Sequence, residues 1–139
     1  KRVEKWIARR QEIAAIYDDA FADYQDIFNP LVNKTSCAYH IYVIQLKLEN
    51  LDCNRDVIFK ELKENGIGVN VHYRPIYLLS YYLKLGREGR IKAFPGMCPV
   101  AEDIYNRIIT LPLFPTLTTD QINTIIEKTI QVINQHRLK

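Results

Sequence analysis

Ala38-Tyr39-His40-Ile41-Tyr42-Val43-Ile44-Gln45-Leu46-Lys47-Leu48 is dominated by β-branched, aromatic and aliphatic residues and contains neither glycine nor proline. Such residues suit a pleated, half-buried surface, so the stretch reads as a long strand over 38–48. What lies on either side decides the kind of sheet it joins. Upstream, Val3, Ile7, Ala14, Tyr17, Phe21, Tyr24 and Phe28 fall on one helical stripe with steps of three and four, Arg10 being its one polar member; this predicts a helix over 1–28, stopped by Asn29-Pro30. Downstream, Asp52 and Asn54 offer caps for a helix over 55–65 that turns Val57, Ile58 and Leu62 inward and closes at Gly66. A second strand is predicted over 67–73, with Ile67, Val69, Val71 and Tyr73 on one face and Gly68, Asn70 and His72 on the other.

The second half is helical at both ends of an irregular middle. From Ile76 to Gly96 the chain is tyrosine-rich, then dotted with Gly, Lys and Arg, and shows no clean period. It reads as a long loop with one helical turn at most, mobile over about 83–97, and loops of that length carry function or motion. Pro99 at a first helical position opens a helix through Ile108, with Val100, Ile104 and Ile108 as its apolar stripe. Leu111-Pro112-Leu113-Phe114-Pro115 reads as an extended connector. The last helix has the strongest start signal: Thr118 with Gln121 as a capping box and Leu117 with Ile122 as a hydrophobic staple, ahead of Ile125, Ile126, Ile130 and Ile133. The order helix, strand, helix, strand, loop, helix, helix gives an α+β class, a small antiparallel sheet covered by helices, in a single domain over 1–139.

Composition narrows the function. At 139 residues with 47% hydrophobic and 25% charged side chains, the chain can bury a core. It is too short for a TIM barrel or a Rossmann dehydrogenase, which take roughly 200 residues or more. A net charge of +3 from scattered basic residues argues against a nucleic-acid partner. No run of apolar residues is long enough for a membrane span. Three cysteines at unrelated spacings, Cys37, Cys53 and Cys98, fit reduced thiols and a cytoplasmic setting rather than a disulfide framework. Asn33-Lys34-Thr35 matches a glycosylation triplet that has no meaning there. The first helix has no cap before Lys1, and its charge order, basic then acidic, opposes the helix dipole. Both features predict that Lys1 lies inside a longer helix.

Familiar catalytic signatures are missing. Gly66-Ile67-Gly68 lacks the third glycine of a dinucleotide loop, no Walker loop occurs, and the two serines, Ser36 and Ser80, sit in no nucleophile elbow. His40, His72 and His136 have no metal-ligand spacing with one another or with cysteine, so no metal site is predicted. The unusual stretch is His72-Tyr73-Arg74-Pro75-Ile76-Tyr77 with Tyr81-Tyr82. Tyrosines leaving a strand can stack on sugar rings or bases, and Arg74 can pair with phosphate. The same residues are equally compatible with Tyr73 and Tyr77 packing on the core and Arg74 solvated.

These residues, with others, carry a family likeness. Arg10 with Ala14 and Tyr17, Tyr39-His40-Ile41-Tyr42-Val43-Ile44, Asn54-Arg55-Asp56, Gly66-Ile67-Gly68, Val71-His72-Tyr73-Arg74-Pro75, Cys98-Pro99-Val100-Ala101-Glu102 and Leu111-Pro112-Leu113-Phe114-Pro115, followed by the Leu117-Thr118 helix, resemble in order the C-terminal part of the DegT/DnrJ/StrS sugar aminotransferases. The His72–Tyr82 region is most similar to the 4-aminotransferases of the pseudaminic-acid pathway. The resemblance implies the C-terminal domain of a fold-type I pyridoxal 5'-phosphate (PLP) enzyme, in which the first helix links to a large domain. That enzyme moves an amino group, usually from glutamate, to a nucleotide-linked 4-keto-6-deoxy sugar for surface glycans, and is expected to be a homodimer. The Schiff-base lysine and cofactor-binding residues belong to the large domain; Lys34, Lys47 and Lys92 are not in its context. No catalytic or cofactor-binding residue is therefore expected here, and no cofactor bound to this chain alone. The substrate-binding residues implied are His72, Tyr73, Arg74, Tyr77, Tyr81 and Tyr82. The rival reading is a stand-alone, non-catalytic α+β ligand-binding module.

Overall fold

The computed structural model describes residues 2–31 and 37–138; Lys34, Ser36 and the glycosylation triplet lie outside them. The fold is α+β, with five helices and a three-stranded antiparallel sheet among the described residues. Helix α1 (Arg2–Phe21) buries Ile13, Ala14, Tyr17 and Phe21, while Val3 and Trp6 stay in solvent. The stripe read over 1–28 therefore works only in its middle. Past Phe21 the chain tightens into a 3₁₀ turn, Ala22–Tyr24, and Phe28 opens strand β1 (Phe28–Pro30) instead of continuing the helix. Phe28 is buried all the same: its ring meets Phe21 edge-on at 5.1 Å and stacks with Tyr24 at 6.3 Å. A residue at helical spacing can reach the same core from a strand, which is why the period misled.

Strand β2 (Tyr42–Leu46) is the centre of the sheet and shorter than the predicted 38–48. Tyr42, Ile44 and Leu46 alternate into the core. On one side Phe28 pairs with Leu46 and Pro30 with Ile44; on the other Tyr42 pairs with Leu111 and Ile44 with Ile109. The partner on that second side, β3 (Ile108–Leu111), was read as a helix end and a connector. All four of its residues are buried, so it shows none of the alternation that marks a half-exposed strand. The predicted strand over 67–73 is not one. Ile67 and Val69 are buried as expected, but only Asn70 pairs with the sheet, through backbone hydrogen bonds of 3.1 and 2.7 Å with Thr110.

Helix α2 (Arg55–Glu64) starts where the sequence placed it, with Asn54 Oδ1 accepting from the amides of Asp56 and Val57. The irregular middle holds more structure than expected: a 3₁₀ turn, Ile76–Leu78, and helix α3 (Ser80–Arg87). Helix α4 (Pro99–Arg107) begins at Pro99, but of its predicted apolar stripe Val100, 73% exposed, and Ile104 face outward, while Ile108 is buried as the first residue of β3. Its inward side is polar and aromatic instead: Arg55 lies over the Tyr105 ring at 5.3 Å, and Arg107 reaches Glu49 and Asp103. Helix α5 (Thr119–Gln135) has both halves of the capping box, and Leu117 and Ile122 are both buried. One apolar cluster joins α1, the sheet, α2 and α5. Within it Tyr17 donates to Pro112 O (2.9 Å) and Tyr42 donates to Asp18 Oδ1 (2.7 Å), which satisfies their hydroxyls. Among the described residues no helix is long and apolar enough to cross a membrane.

Candidate functional site

His72 reaches its position because the extended run ends at Asn70. The Asn70 backbone is pinned to Thr110, and its Oδ1 accepts from Val71 N at 2.8 Å, bending the chain. Beyond that bend the expected alternation is reversed. His72 turns toward the sheet, where its Nδ1 lies 2.9 Å from Thr110 Oγ1, and Tyr73, expected among the inward residues, is 69% exposed. Thr110 pairs with Val43, so it shares the face of β2 opposite the α1 core. The two rings meet edge-on with centroids 4.5 Å apart, and the peptide bond between them is cis. With Nδ1 engaged by a hydroxyl, Nε2 of His72 is left to donate or accept according to the tautomer.

Tyr77, Tyr81 and Tyr82 sit on a separate feature, a lobe over 76–96, and Arg74 lies just before it. Tyr77 is half-buried; its hydroxyl donates to Glu102 Oε1 (2.8 Å) and lies 3.3 Å from Cys98 O. Burial first, then the Glu102 carboxylate, pushes the Tyr77 pKa up to about 12, so it stays a neutral donor. Tyr81, 64% exposed, meets half-buried Tyr82 edge-on at 5.4 Å. Arg74 is exposed and has no acidic partner among the described residues. Six predicted residues thus form two aromatic pairs, an anchored Tyr77 and a solvated Arg74.

Sequence reasoning missed Glu102 and two concave surfaces. A shallow depression of about 540 Å³ lies in the lobe itself, with Arg87, Ile91, Lys92 and Phe94 among its lining. A groove of about 420 Å³ runs between the Gly66–Gly68 turn, Pro112, Phe114 and the start of α5, and includes none of the six predicted residues. The groove draws its lining from two segments far apart in sequence, and the depression, although its lining falls within Gly86–Phe94, matches no catalytic motif.

Among the described residues no lysine is buried: Lys47 and Lys128 are half-buried and the others exposed. A metal would find donors where none were predicted, since Asp52, Cys53 and His136 bring ligand atoms within 4.8 Å of one another. Both ring nitrogens of His136 are already bonded to carboxylates, however, Nδ1 to Asp52 (2.8 Å) and Nε2 to Glu61 (3.0 Å). Burial, then Asp52 and Glu61, push the Cys53 thiol up, away from the thiolate that a metal takes. The cluster reads as a hydrogen-bonded ion group.

Comparisons with known proteins agree with this architecture. The spore coat polysaccharide biosynthesis protein SpsC of Bacillus subtilis is 32% identical over 136 residues, which cover 96% of this chain and 33% of that protein. The Helicobacter pylori aminotransferase PseC, described as involved in the biosynthesis of pseudoaminic acid, superposes with a TM-score of 0.77 at 28% identity, covering 94% of this chain and 33% of its own. An aminotransferase from Psychrobacter cryohalolentis shares the fold at a TM-score of 0.81 and 20% identity, over 98% of this chain and 36% of that one. The chain spans about a third of the length of the curated relatives it matches. The DegT/DnrJ/EryC1/StrS aminotransferase family model matches residues 1–130, nearly the whole sequence, and it is to this family that the chain belongs.

Proposed function

We propose that this chain is the C-terminal domain of a PLP-dependent sugar aminotransferase and forms one wall of its sugar-nucleotide site. The observation that carries the reading is the run His72–Tyr82, where a histidine with one free ring nitrogen and a set of outward tyrosines stand within one stretch of a family member. PLP supplies the amino-group transfer chemistry in such enzymes. In this reading the residues that hold it belong to the large domain, so every role proposed for this chain's residues concerns the substrate. Tyr73 and Tyr81 offer apolar ring faces to a sugar or base, Tyr77 and Tyr82 shape the surface behind them, and His72 offers a hydrogen bond from Nε2. Arg74, exposed and without an acidic partner among the described residues, is the residue we assign to the diphosphate.

On this reading the acceptor is a nucleotide-linked 4-keto-6-deoxy sugar of the pseudaminic-acid type, the amino donor is glutamate, and the whole enzyme is a cytoplasmic homodimer. Two tests check it. Adding PLP to this chain alone should give no cofactor absorbance band, and a band would show an anchor within these residues. In the whole enzyme His72→Ala should raise the sugar-nucleotide KM by about tenfold, the worth of one hydrogen bond to a charged or buried partner, while the cofactor still attaches. Loss of cofactor attachment would instead make the segment cofactor-binding.

A further inference from the structure

Glu102 closes the neck of the lobe over 76–96. Its Oε1 accepts from the Tyr77 hydroxyl at one end of the lobe and from the Gly96 amide at the other, both at 2.8 Å. The carboxylate is half-buried on α4, whose first residues follow directly from the lobe. Apolar packing does little to hold this lobe down. No residue of α3 is buried, and Ile76, Leu79, Tyr81, Ile91 and Phe94 are all exposed; Ala93 is its one buried hydrophobic residue. With so little area removed from water, the lobe's position rests on the polar neck. A carboxylate suits that role, because hydrogen bonds to an ionised acceptor are stronger than neutral ones.

We propose that Glu102 is a positioning residue: by holding Tyr77 and Gly96 together it fixes the orientation in which Tyr81 and Tyr82 meet the nucleotide sugar. This rests on the substrate-binding reading of those tyrosines, and the experiment separates the two. Amide exchange at Gly96 reports on the latch alone and can be read on this chain. In Glu102→Ala the Gly96 amide should exchange about tenfold faster, the loss of one charge-assisted hydrogen bond, while Glu102→Gln, which keeps an acceptor oxygen without its charge, should fall between Glu102→Ala and wild type. In the whole enzyme, assayed with a nucleotide-linked 4-keto-6-deoxy sugar, Glu102→Ala should raise KM by about tenfold and leave kcat within about twofold, with Glu102→Gln recovering part of the loss in KM. Should Glu102→Ala fail to fold, Tyr77→Phe removes one of the two donors and should show the same split at smaller size. Unchanged Gly96 exchange in Glu102→Ala overturns the latch. Faster exchange with unchanged KM, while Tyr81→Ala raises KM, overturns the positioning role. If Tyr81→Ala and Tyr82→Ala leave KM unchanged, the binding reading itself fails and the positioning role with it, whatever Gly96 does.

Discussion

His136 shows how much one side chain can bind together. It caps α5 while facing Asp52, ahead of α2, through Nδ1 and Glu61, on α2, through Nε2. Carboxylates only accept, so both contacts are hydrogen bonds at once only when both ring nitrogens carry protons. Burial opposes that charge, but the bonds from Asp52 and Glu61 outweigh it, and the pKa is raised above the ordinary 6.5. A raised pKa gives stability that is complete below the ordinary value and is lost as pH rises through the folded-state value. The melting temperature should therefore fall as pH rises from the ordinary 6.5 through the raised folded-state value, and His136→Gln should flatten that slope; a wild-type melting temperature that rises there would refute the assignment. None of this is legible in sequence, because His136 and Asp52 are 84 positions apart. His72 was conspicuous for the opposite reason: it stands beside tyrosines and an arginine within one short stretch. Glu102 escaped notice because its partner Tyr77 lies 25 positions away and its own neighbourhood looks like an ordinary helix surface.

At the scale of elements, legibility followed local chemistry. The capping box of α5 and the Asn54 cap of α2 are closed by residues within three positions, so the sequence contains the whole interaction. β3 depends on what lies on both its faces, and α3 is obscured by Gly86, which discourages a helical reading. Gly86 is there for space: a Cβ at that position would stand 2.0 Å from the Ala93 carbonyl oxygen. Backbone cannot yield as a flexible side-chain end can, so Gly86→Ala should pull α3 off the segment around Ala93 despite alanine's better helix propensity. Faster amide exchange across 83–93 with an unchanged core is the expected result. Protection equal to wild type would mean that the two segments separate without cost.

Across the whole molecule, Ile44 is the hub: fully buried on the central strand, it is paired with Pro30 on one side and Ile109 on the other, within the cluster that reaches α1 and α5. Ile44→Ala should cost about 2–5 kcal/mol, and far-ultraviolet and tyrosine signals should still melt together, because one core serves helices and sheet alike. Separated transitions would show two cores. The sheet's borders have a further consequence. β1 is three residues long and ends in Pro30, which has no amide hydrogen to offer, and the far side of β3 is taken at Thr110 by Asn70. A foreign strand arriving at either border meets a missing donor or an occupied position. The same backbone bonds that set the bend before His72 thus guard the protein against intermolecular strand addition and the amyloid-like growth that follows from it.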